Sequence, residues 1–398
     1  MTEGAAELHA GTAKVSITPP TDMQPVWLAG LGGGNRPSEG VHDELHVRAL
    51  ALRSGDTSVG LVSLDLIGYL QHDARAVRSE IGSVPPENIV IAATHQHSGP
   101  DTIGLWGPSL LQSGRKPEYM EFLHGRAVQA LNEAVQGLQP ATLRLGTADV
   151  PDGVSKNIRD PEVLDRSVTA AHLADAEGGA GIATVVNFAC HPEVLWYESR
   201  LITADFPGYL CDRLEEQLGG VGLFFNGALG GMVTADVEQN TFEEAERIGS
   251  AIGDTALRAL DGAESVPAPG LTAGHARVPI PAENELLKVA VGMGIIRTDL
   301  TDAGDLHAEV HAMELGAAQI ATFPGEPFAA IGLNVKQGMS GEHRLVMGLA
   351  NDELGYMMYP EHYEDEKYAL EKRSCVGPRA GPLCEAAVRE LLGPDPSG

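Results

Sequence analysis

Seven apolar runs rich in β-branched residues place the strongest limit on the fold of this chain. Several of them show no alternation of polar and apolar residues, which is typical of strands buried on both faces. The predicted strands cover residues 45–53, 58–67, 88–93, 181–189, 221–226, 318–324 and 344–350.

Segments with the helical spacing of apolar residues lie between these runs. They cover residues 117–138, 206–218, 241–261 and 327–338, and most of them begin near a proline, as helices often do. The alternation of the two patterns predicts an α/β fold with a mixed central β-sheet, or sheets, flanked by helices. We expect one catalytic domain over residues 1–392 and a disordered tail over residues 393–398.

The charge of the chain disfavours one broad class of partner. Asp and Glu number 55 against 27 Lys and Arg, a formal net charge of -28, so the chain would repel nucleic acids and anionic membrane surfaces. No apolar run approaches the roughly 18–20 residues that cross a bilayer. We therefore expect a cytoplasmic protein that binds a small molecule, with no nucleic acid partner and no stable membrane insertion. An oligomer is possible.

Polar residues follow three of the predicted strands. His95 and His97 come after the run at 88–93, His191 comes after the run at 181–189, and Glu326 follows the run at 318–324. Sites in α/β sheets assemble at the carboxyl ends of strands, and His and Glu are ligands of catalytic zinc. A histidine after a strand is also often a hydrogen-bonded structural residue, so both interpretations stand. If the segment is extended, alternation places the first two histidines on the same side.

Two familiar motifs do not fit. The segment THQHSGPD, residues 94–101, has Ser-Gly-Pro where the metallo-β-lactamase pattern needs Asp-His. The segment GLGGGNRP, residues 30–37, has neither the GK[ST] ending nor the GxGxxG register of a phosphate loop, and predicts a flexible or tight-turn loop near the site.

Two further residues have two interpretations each. Asp65, at the end of a buried run, either supports a metal-bound imidazole or caps a helix. Trp106 either lines an apolar acyl pocket or packs a loop.

Taken together, eight segments resemble the neutral, non-lysosomal ceramidases and their shorter bacterial and archaeal relatives. They occur in the family's order over nearly all of residues 10–380: GTAKVSITPP, VSLDLIG, ATHQHSGPDTIGLWG, NFACHPEVL, ADFPGYL, FFNGALGG, TFPGEPF and LANDELGYMMYPEHYEDEKY. The resemblance implies a zinc-dependent enzyme that hydrolyses an N-acyl amide through a metal-activated water. The chain ends soon after the last segment, so we expect it to lack the family's C-terminal immunoglobulin-like domain and to act on a soluble small molecule rather than a membrane lipid.

The resemblance also implies a set of zinc ligands. Carried over residue by residue, these are His95, His191, Glu326 and Tyr356. Two neutral imidazoles and a carboxylate leave zinc Lewis-acidic, which suits attack on an amide carbonyl.

Catalytic roles follow from the same resemblance. His97 would bind the amide carbonyl or help to move protons, and Tyr368 would donate a hydrogen bond to the developing oxyanion. The family's oxyanion arginine falls in a loosely matching region, where Lys156 or Arg159 would fill the role.

Three functions remain distinct at this point. The leading hypothesis is zinc-dependent hydrolysis of an N-acyl amide. The alternative is hydrolysis of a lactone or other ester at the same zinc site, because an activated water attacks esters more readily than amides. The third is a non-catalytic metal-binding or ligand-binding protein. Manganese or iron would satisfy the same ligand types.

Overall fold

The structure is a computed structural model that describes residues 6–32, 34–109, 111–266, 268–298, 300–301 and 304–393. The predicted disordered tail at 393–398 therefore lies outside the described residues, apart from Gly393.

The strands range from two to eleven residues. In chain order they are β1 (Leu8–Ser16), β2 (Gly40–Val41), β3 (His46–Ser54), β4 (Thr57–Leu64), β5 (Ile89–Ala93), β6 (Gln139–Asp149), β7 (Ser155–Asn157), β8 (Ser167–Asp175), β9 (Gly181–Phe188), β10 (Leu201–Ile202), β11 (Val221–Asn226), β12 (Val233–Ala235), β13 (Leu271–Pro281), β14 (Asp305–Leu315), β15 (Ala318–Thr322), β16 (Glu326–Pro327), β17 (His343–Met347) and β18 (Tyr356–Met357).

The helices lie mainly between the strands. They are α1 (Gln71–Ser79), α2 (Pro117–Gln136), α3 (Phe206–Leu218), α4 (Phe242–Leu260), α5 (Glu285–Gly292), α6 (Ala329–Gly338), α7 (Pro360–Glu364), α8 (Ala369–Arg373) and α9 (Ala380–Leu392). Short 3-10 turns cover Thr21–Met23, Pro86–Asn88 and Glu366–Tyr368.

Two sheets form the centre of the fold. The larger has eight strands in the order β11-β9-β8-β6-β1-β3-β4-β5, and the smaller has four in the order β13-β14-β15-β17. The pairs β11/β9, β4/β5 and β15/β17 are parallel, and the other pairs of these two sheets are antiparallel. The sheets are therefore mixed, which confirms the predicted α/β class.

An apolar core lies between the two sheets. Leu50 and Leu61 of the larger sheet belong to the same buried cluster as Leu315, Ile320 and Met347 of the smaller one. Helices cover the outer faces, because their apolar stripes need a partner surface. The helices α1 and α2 pack on one half of the larger sheet, α3 and α4 on the other half, and α6 and α9 on the smaller sheet.

The predicted elements correspond to observed ones. The seven apolar runs overlap β3, β4, β5, β9, β11, β15 and β17, with ends that differ by a few residues, and the four helical segments contain α2, α3, α4 and α6. The segments that follow β5 and β9 meet at the end of β11, where Asn226 Nδ2 donates to the carbonyls of Thr94 and Cys190.

Candidate metal centre

The side chains predicted to bind zinc converge in the structure. The Nε2 atoms of His191 and His95 lie 3.1 and 3.5 Å from the same Glu326 oxygen, Oε2. Glu326 in β16 pairs in parallel with Tyr356 in β18, which brings the phenol to the same place. The Tyr356 and His191 ring centroids are 6.5 Å apart. All four side chains are buried.

Backbone carbonyls orient the two imidazoles. His95 Nδ1 lies 2.6 Å from the Ile67 carbonyl oxygen, and His191 Nδ1 lies 2.8 Å from that of Val233. Each Nδ1 therefore carries the hydrogen, which leaves the Nε2 lone pair facing Glu326. This is the tautomer that a metal-binding histidine needs.

His97 completes a cluster of three histidines. Its ring centroid lies 4.9 Å from that of His95 and 5.8 Å from that of His191, and the three residues offer ligand atoms within 4.8 Å of one another. Neither ring nitrogen of His97 makes a hydrogen bond to the described residues. The donor types therefore fit a metal ion in two ways: with the three histidines, or with two of them together with Glu326 and Tyr356.

Burial and neighbouring charges set the protonation states of these side chains. Burial by itself would raise the pKa of Glu326, but His95 and His191 hold it at about 2, so this group is a carboxylate at neutral pH. Burial, reinforced by the other two imidazoles, lowers the pKa of His97 well below its usual value. His97 is therefore a neutral imidazole with a free lone pair, able to accept a proton or a hydrogen bond. Burial, and then the charge of Glu326, raises the pKa of Tyr356 well above its usual range.

Asn226, at the end of β11, ties the two histidine loops together. Its Nδ2 donates to the carbonyls of Thr94 and Cys190, each the residue before a histidine, at 2.9 and 2.8 Å. Its Oδ1 accepts from Cys190 N at 3.1 Å. Its place at a strand end was the available signal, but the sequence reasoning did not single it out as a positioning residue.

The backbone at the first histidine is not extended, so alternation was the wrong reason to place His95 and His97 together. The strand β5 ends at Ala93, and His95 has a φ of 70°, a conformation that costs energy for a residue with a side chain. The segment turns, and His97 N donates to the Pro192 carbonyl in the loop of the other histidine.

The glycine-rich segment is a turn against the site. A Cβ on Gly30 would lie 2.3 Å from His97 Cγ, so only glycine lets the backbone approach the ring. Arg36 is buried beside it and donates to the carbonyls of Ala29 and His97 at 3.2 and 3.3 Å. This agrees with the predicted turn near the site.

A mainly apolar cavity of about 550 Å³ opens from this centre. Its volume is that of a pocket for one small ligand. Trp106 lines this cavity, in agreement with the first of its two interpretations, that it lines an apolar pocket. Other lining residues include Ile67, Leu70, Ile103, Trp196, Leu286, Leu287, Ile296, Leu354, Val376, Glu193, Asp352, Glu353 and Arg373.

The other predicted catalytic residues are not brought to this cavity. Lys156 Nζ pairs with Asp236 at 2.9 Å on the surface, and Arg159 Nε pairs with Glu371 at 2.7 Å. The Tyr368 hydroxyl donates to Asp160. None of the three lines the cavity, so their contact with substrate stays a prediction.

Tyr368 lies one aromatic ring away from the candidate ligands. The Phe328 ring centroid is 5.3 Å from that of Tyr368 and 6.3 Å from that of Tyr356. The packing of Phe328 separates the two tyrosines that the sequence placed in one site.

Asp65 has neither of the roles considered for it. It is fully buried, and its Oδ2 accepts from Arg48 at 2.6 Å and from the backbone N of His46 at 2.8 Å. It forms an ion pair inside the core rather than contacting a metal-binding imidazole or capping a helix.

Comparison with known proteins identifies the family. Residues 9–245, more than half of the chain, match the family model described as neutral/alkaline non-lysosomal ceramidase, N-terminal. The chain belongs to this ceramidase family. His95, His97 and His191 lie inside the matched region, whereas Glu326 and Tyr356 lie beyond it.

Individual ceramidases are more distant. The neutral ceramidase of Mycobacterium tuberculosis (strain ATCC 25618 / H37Rv) is 24% identical over 216 residues, which cover 48% of this chain and 34% of that protein. The match thus spans about a third of that relative's length.

Two solved ceramidase structures share the fold. The neutral ceramidase of Pseudomonas aeruginosa superposes with a TM-score of 0.81 at 18% identity, covering 97% of this chain and 74% of that chain. A structure described as ceramidase complexed with C2 gives a TM-score of 0.78 with the same identity and coverage. This likeness establishes the fold. Among the described residues of the present ceramidase-family chain, no helix is both long and apolar enough to cross a membrane.

Proposed function

We propose that this chain hydrolyses the N-acyl amide bond of a small molecule, with zinc held by His95, His191, Glu326 and Tyr356. The observation that carries the proposal is the convergence of two correctly oriented imidazole Nε2 atoms on one buried carboxylate oxygen. Zinc bound there would act as a Lewis acid toward a carbonyl and lower the pKa of a bound water toward roughly 7.

The apolar cavity walls and His97 would have separate roles in the reaction. The apolar walls bind the acyl part and exclude water, which strengthens electrostatic interactions inside the cavity. His97 is neutral and its ring nitrogens have no partner among the described residues, so it can take a proton or hold the carbonyl oxygen by a hydrogen bond.

Glu193 faces the same ring. Its Oε2 lies 3.5 Å from His97 Nδ1, and burial raises the pKa of the Glu193 carboxyl above its usual value. The contact is longer than a hydrogen bond, so Glu193 places an acid beside Nδ1 while both ring nitrogens of His97 keep their hydrogen-bonding capacity for a ligand.

The test is metal removal combined with a histidine substitution. Chelation, or His95→Ala, is expected to abolish release of the amine from a short-chain N-acyl amide, and zinc is expected to restore the chelated protein only. His124→Ala is the matched control, because that histidine lies on the outer face of α2 and pairs with Glu80 at the surface. Full activity after chelation, or in the His95 variant, would refute the proposal.

A further inference from the structure

Glu353 lines the cavity, and one of its carboxyl oxygens has no partner. Its Oε1 accepts from the backbone N of Gly355 at 3.1 Å. Its Oε2 is buried and makes no hydrogen bond within the described part of the chain. A buried polar atom without a partner is unfavourable in free energy, because it has lost its hydrogen bonds to water without replacing them. A ligand that offers a donor to this oxygen would recover that free energy.

The Glu353 side chain lies between the segments that hold two candidate metal ligands. Gly355, which donates to Glu353, also accepts from the backbone N of Glu326 at 2.9 Å and directly precedes Tyr356. On its other side, the Glu353 Cγ would lie 2.9 Å from a Cβ at Gly68, the neighbour of the Ile67 that orients His95. Glu353 therefore lines the same cavity as the candidate ligands and is attached to the segment that carries Tyr356.

The surrounding protein does not supply the missing donor. Arg373 is the one Lys or Arg among the described residues that line the cavity, and no ion pair joins it to Glu353. The adjacent acid, Asp352, is already bonded, because its Oδ1 accepts from the backbone N of Gln71 and of Glu353 at 3.1 and 2.9 Å. Asp352 thus accepts two backbone N–H groups at Oδ1, whereas Glu353 accepts one at Oε1 and has a fully buried Oε2 that makes no hydrogen bond within the described residues.

We propose that Glu353 Oε2 accepts a hydrogen bond from the N–H of the scissile amide, and so selects secondary amides over esters, lactones and N-alkylated amides. This inference rests on the proposed function, which places the scissile bond at the centre formed by His95 and Glu326. Burial, together with the charges of Glu326 and Asp352, raises the pKa of Glu353 well above its usual range. A donor N–H against Oε2 favours the ionised carboxylate that accepts it.

Three compounds that differ at one atom test the selection in the unaltered protein. They are N-butyl octanamide, N-butyl-N-methyl octanamide and butyl octanoate, which present N–H, N–CH3 and O beside the same carbonyl. A site built to bond an N–H rejects an analogue without it, so kcat/KM is expected to be at least about tenfold higher for the secondary than for the tertiary amide. Equal values for the two amides would overturn the inference without any variant.

Two variants separate substrate contact from support of the turn. In Glu353→Gln an amide oxygen still accepts from Gly355, but an NH2 group replaces Oε2 and faces the substrate N–H. The secondary-amide kcat/KM is expected to fall about 10- to 100-fold, while the value for the ester stays within about threefold. Asp352→Asn, the matched change of a bonded carboxyl, is expected to alter amide and ester by the same factor. A parallel loss of both activities in Glu353→Gln, or no loss, would contradict the inference.

A binding measurement keeps this inference distinct from the proposed function. If the unaltered protein hydrolyses none of the three compounds, the proposed function fails. Calorimetry on metal-free protein then still reports whether the secondary amide binds about tenfold more tightly than its N-methyl analogue, and whether Glu353→Gln removes that difference. Equal binding of the two amides to the unaltered protein would overturn the role of Glu353.

Discussion

Replacing Gly30 by alanine should displace His97 and reduce activity without loss of the metal. The added Cβ would lie 2.3 Å from His97 Cγ. Carbon atoms in contact lie about 3.5–4.0 Å apart, so the ring or the turn must move by about 1.2 Å, the difference between 3.5 Å and 2.3 Å. Gly30 also has a φ of 93°, and a left-handed conformation costs alanine about 1–2 kcal/mol more than glycine.

A displacement of about 1 Å in a catalytic group can reduce the rate about 100-fold. We therefore expect Gly30→Ala to lower kcat/KM for a secondary amide by about that factor, measured by release of the amine. The affinity for zinc, measured by competition with a chelator, should stay within about threefold, because His97 is not a ligand in the proposed set.

Gly262→Ala is the matched control. Gly262 has a φ of 71°, but no atom lies within 4 Å of the position of its Cβ. It carries the same conformational cost without a displaced ring, so its kcat/KM should equal that of the unaltered protein. If Gly30→Ala is as active as this control, the position of His97 does not matter for the reaction. If zinc affinity falls together with activity, His97 is a ligand and the proposed ligand set is wrong.

Two further predictions concern buried carboxylates far from any ligand role. Asp65→Asn leaves the Arg48 guanidinium in the core without its counter-charge. The free energy of unfolding, measured in urea, should therefore fall by about 3–5 kcal/mol. Unchanged stability, with or without a loss of bound zinc, would contradict this prediction. Burial alone would raise the pKa of Glu309, but Arg78 and Arg75 lower it from 4.5 to about 2, so its stabilising contribution is complete above about pH 4.5 and is lost as the pH falls toward 2. The difference in Tm between the unaltered protein and Glu309→Gln should therefore be largest at neutral pH and shrink between pH 4.5 and 2; a constant difference would refute the assigned cause.

Local sequence predicted several strands that are buried along their length, but not β8, whose seven buried residues include Thr169 and His172 and so interrupt the apolar pattern. Apolar β-branched runs such as the one in β5 are buried on both faces, so composition alone identifies them. The strands β6 and β13 were not predicted, because buried and half-exposed residues are mixed along them and no regular apolar pattern results. His95, His191 and Glu326 were also readable, because they follow recognisable strands, whereas Tyr356 was implied only by the family resemblance.

The sequence by itself determined which residues could form a metal centre, and the tertiary structure decided which of them meet. His95 and Glu326 are joined by the order of strands in two sheets, and local preferences carry no information about contacts so distant in the chain. In the packed structure Phe328 lies between Tyr368 and the candidate ligand Tyr356. Glu353 Oε2 has no hydrogen-bond partner among the described residues. The physical reason is that hydrogen bonds and close packing around the candidate centre depend on atoms from strands that are distant in the sequence, so they exist only once the sheets have packed together.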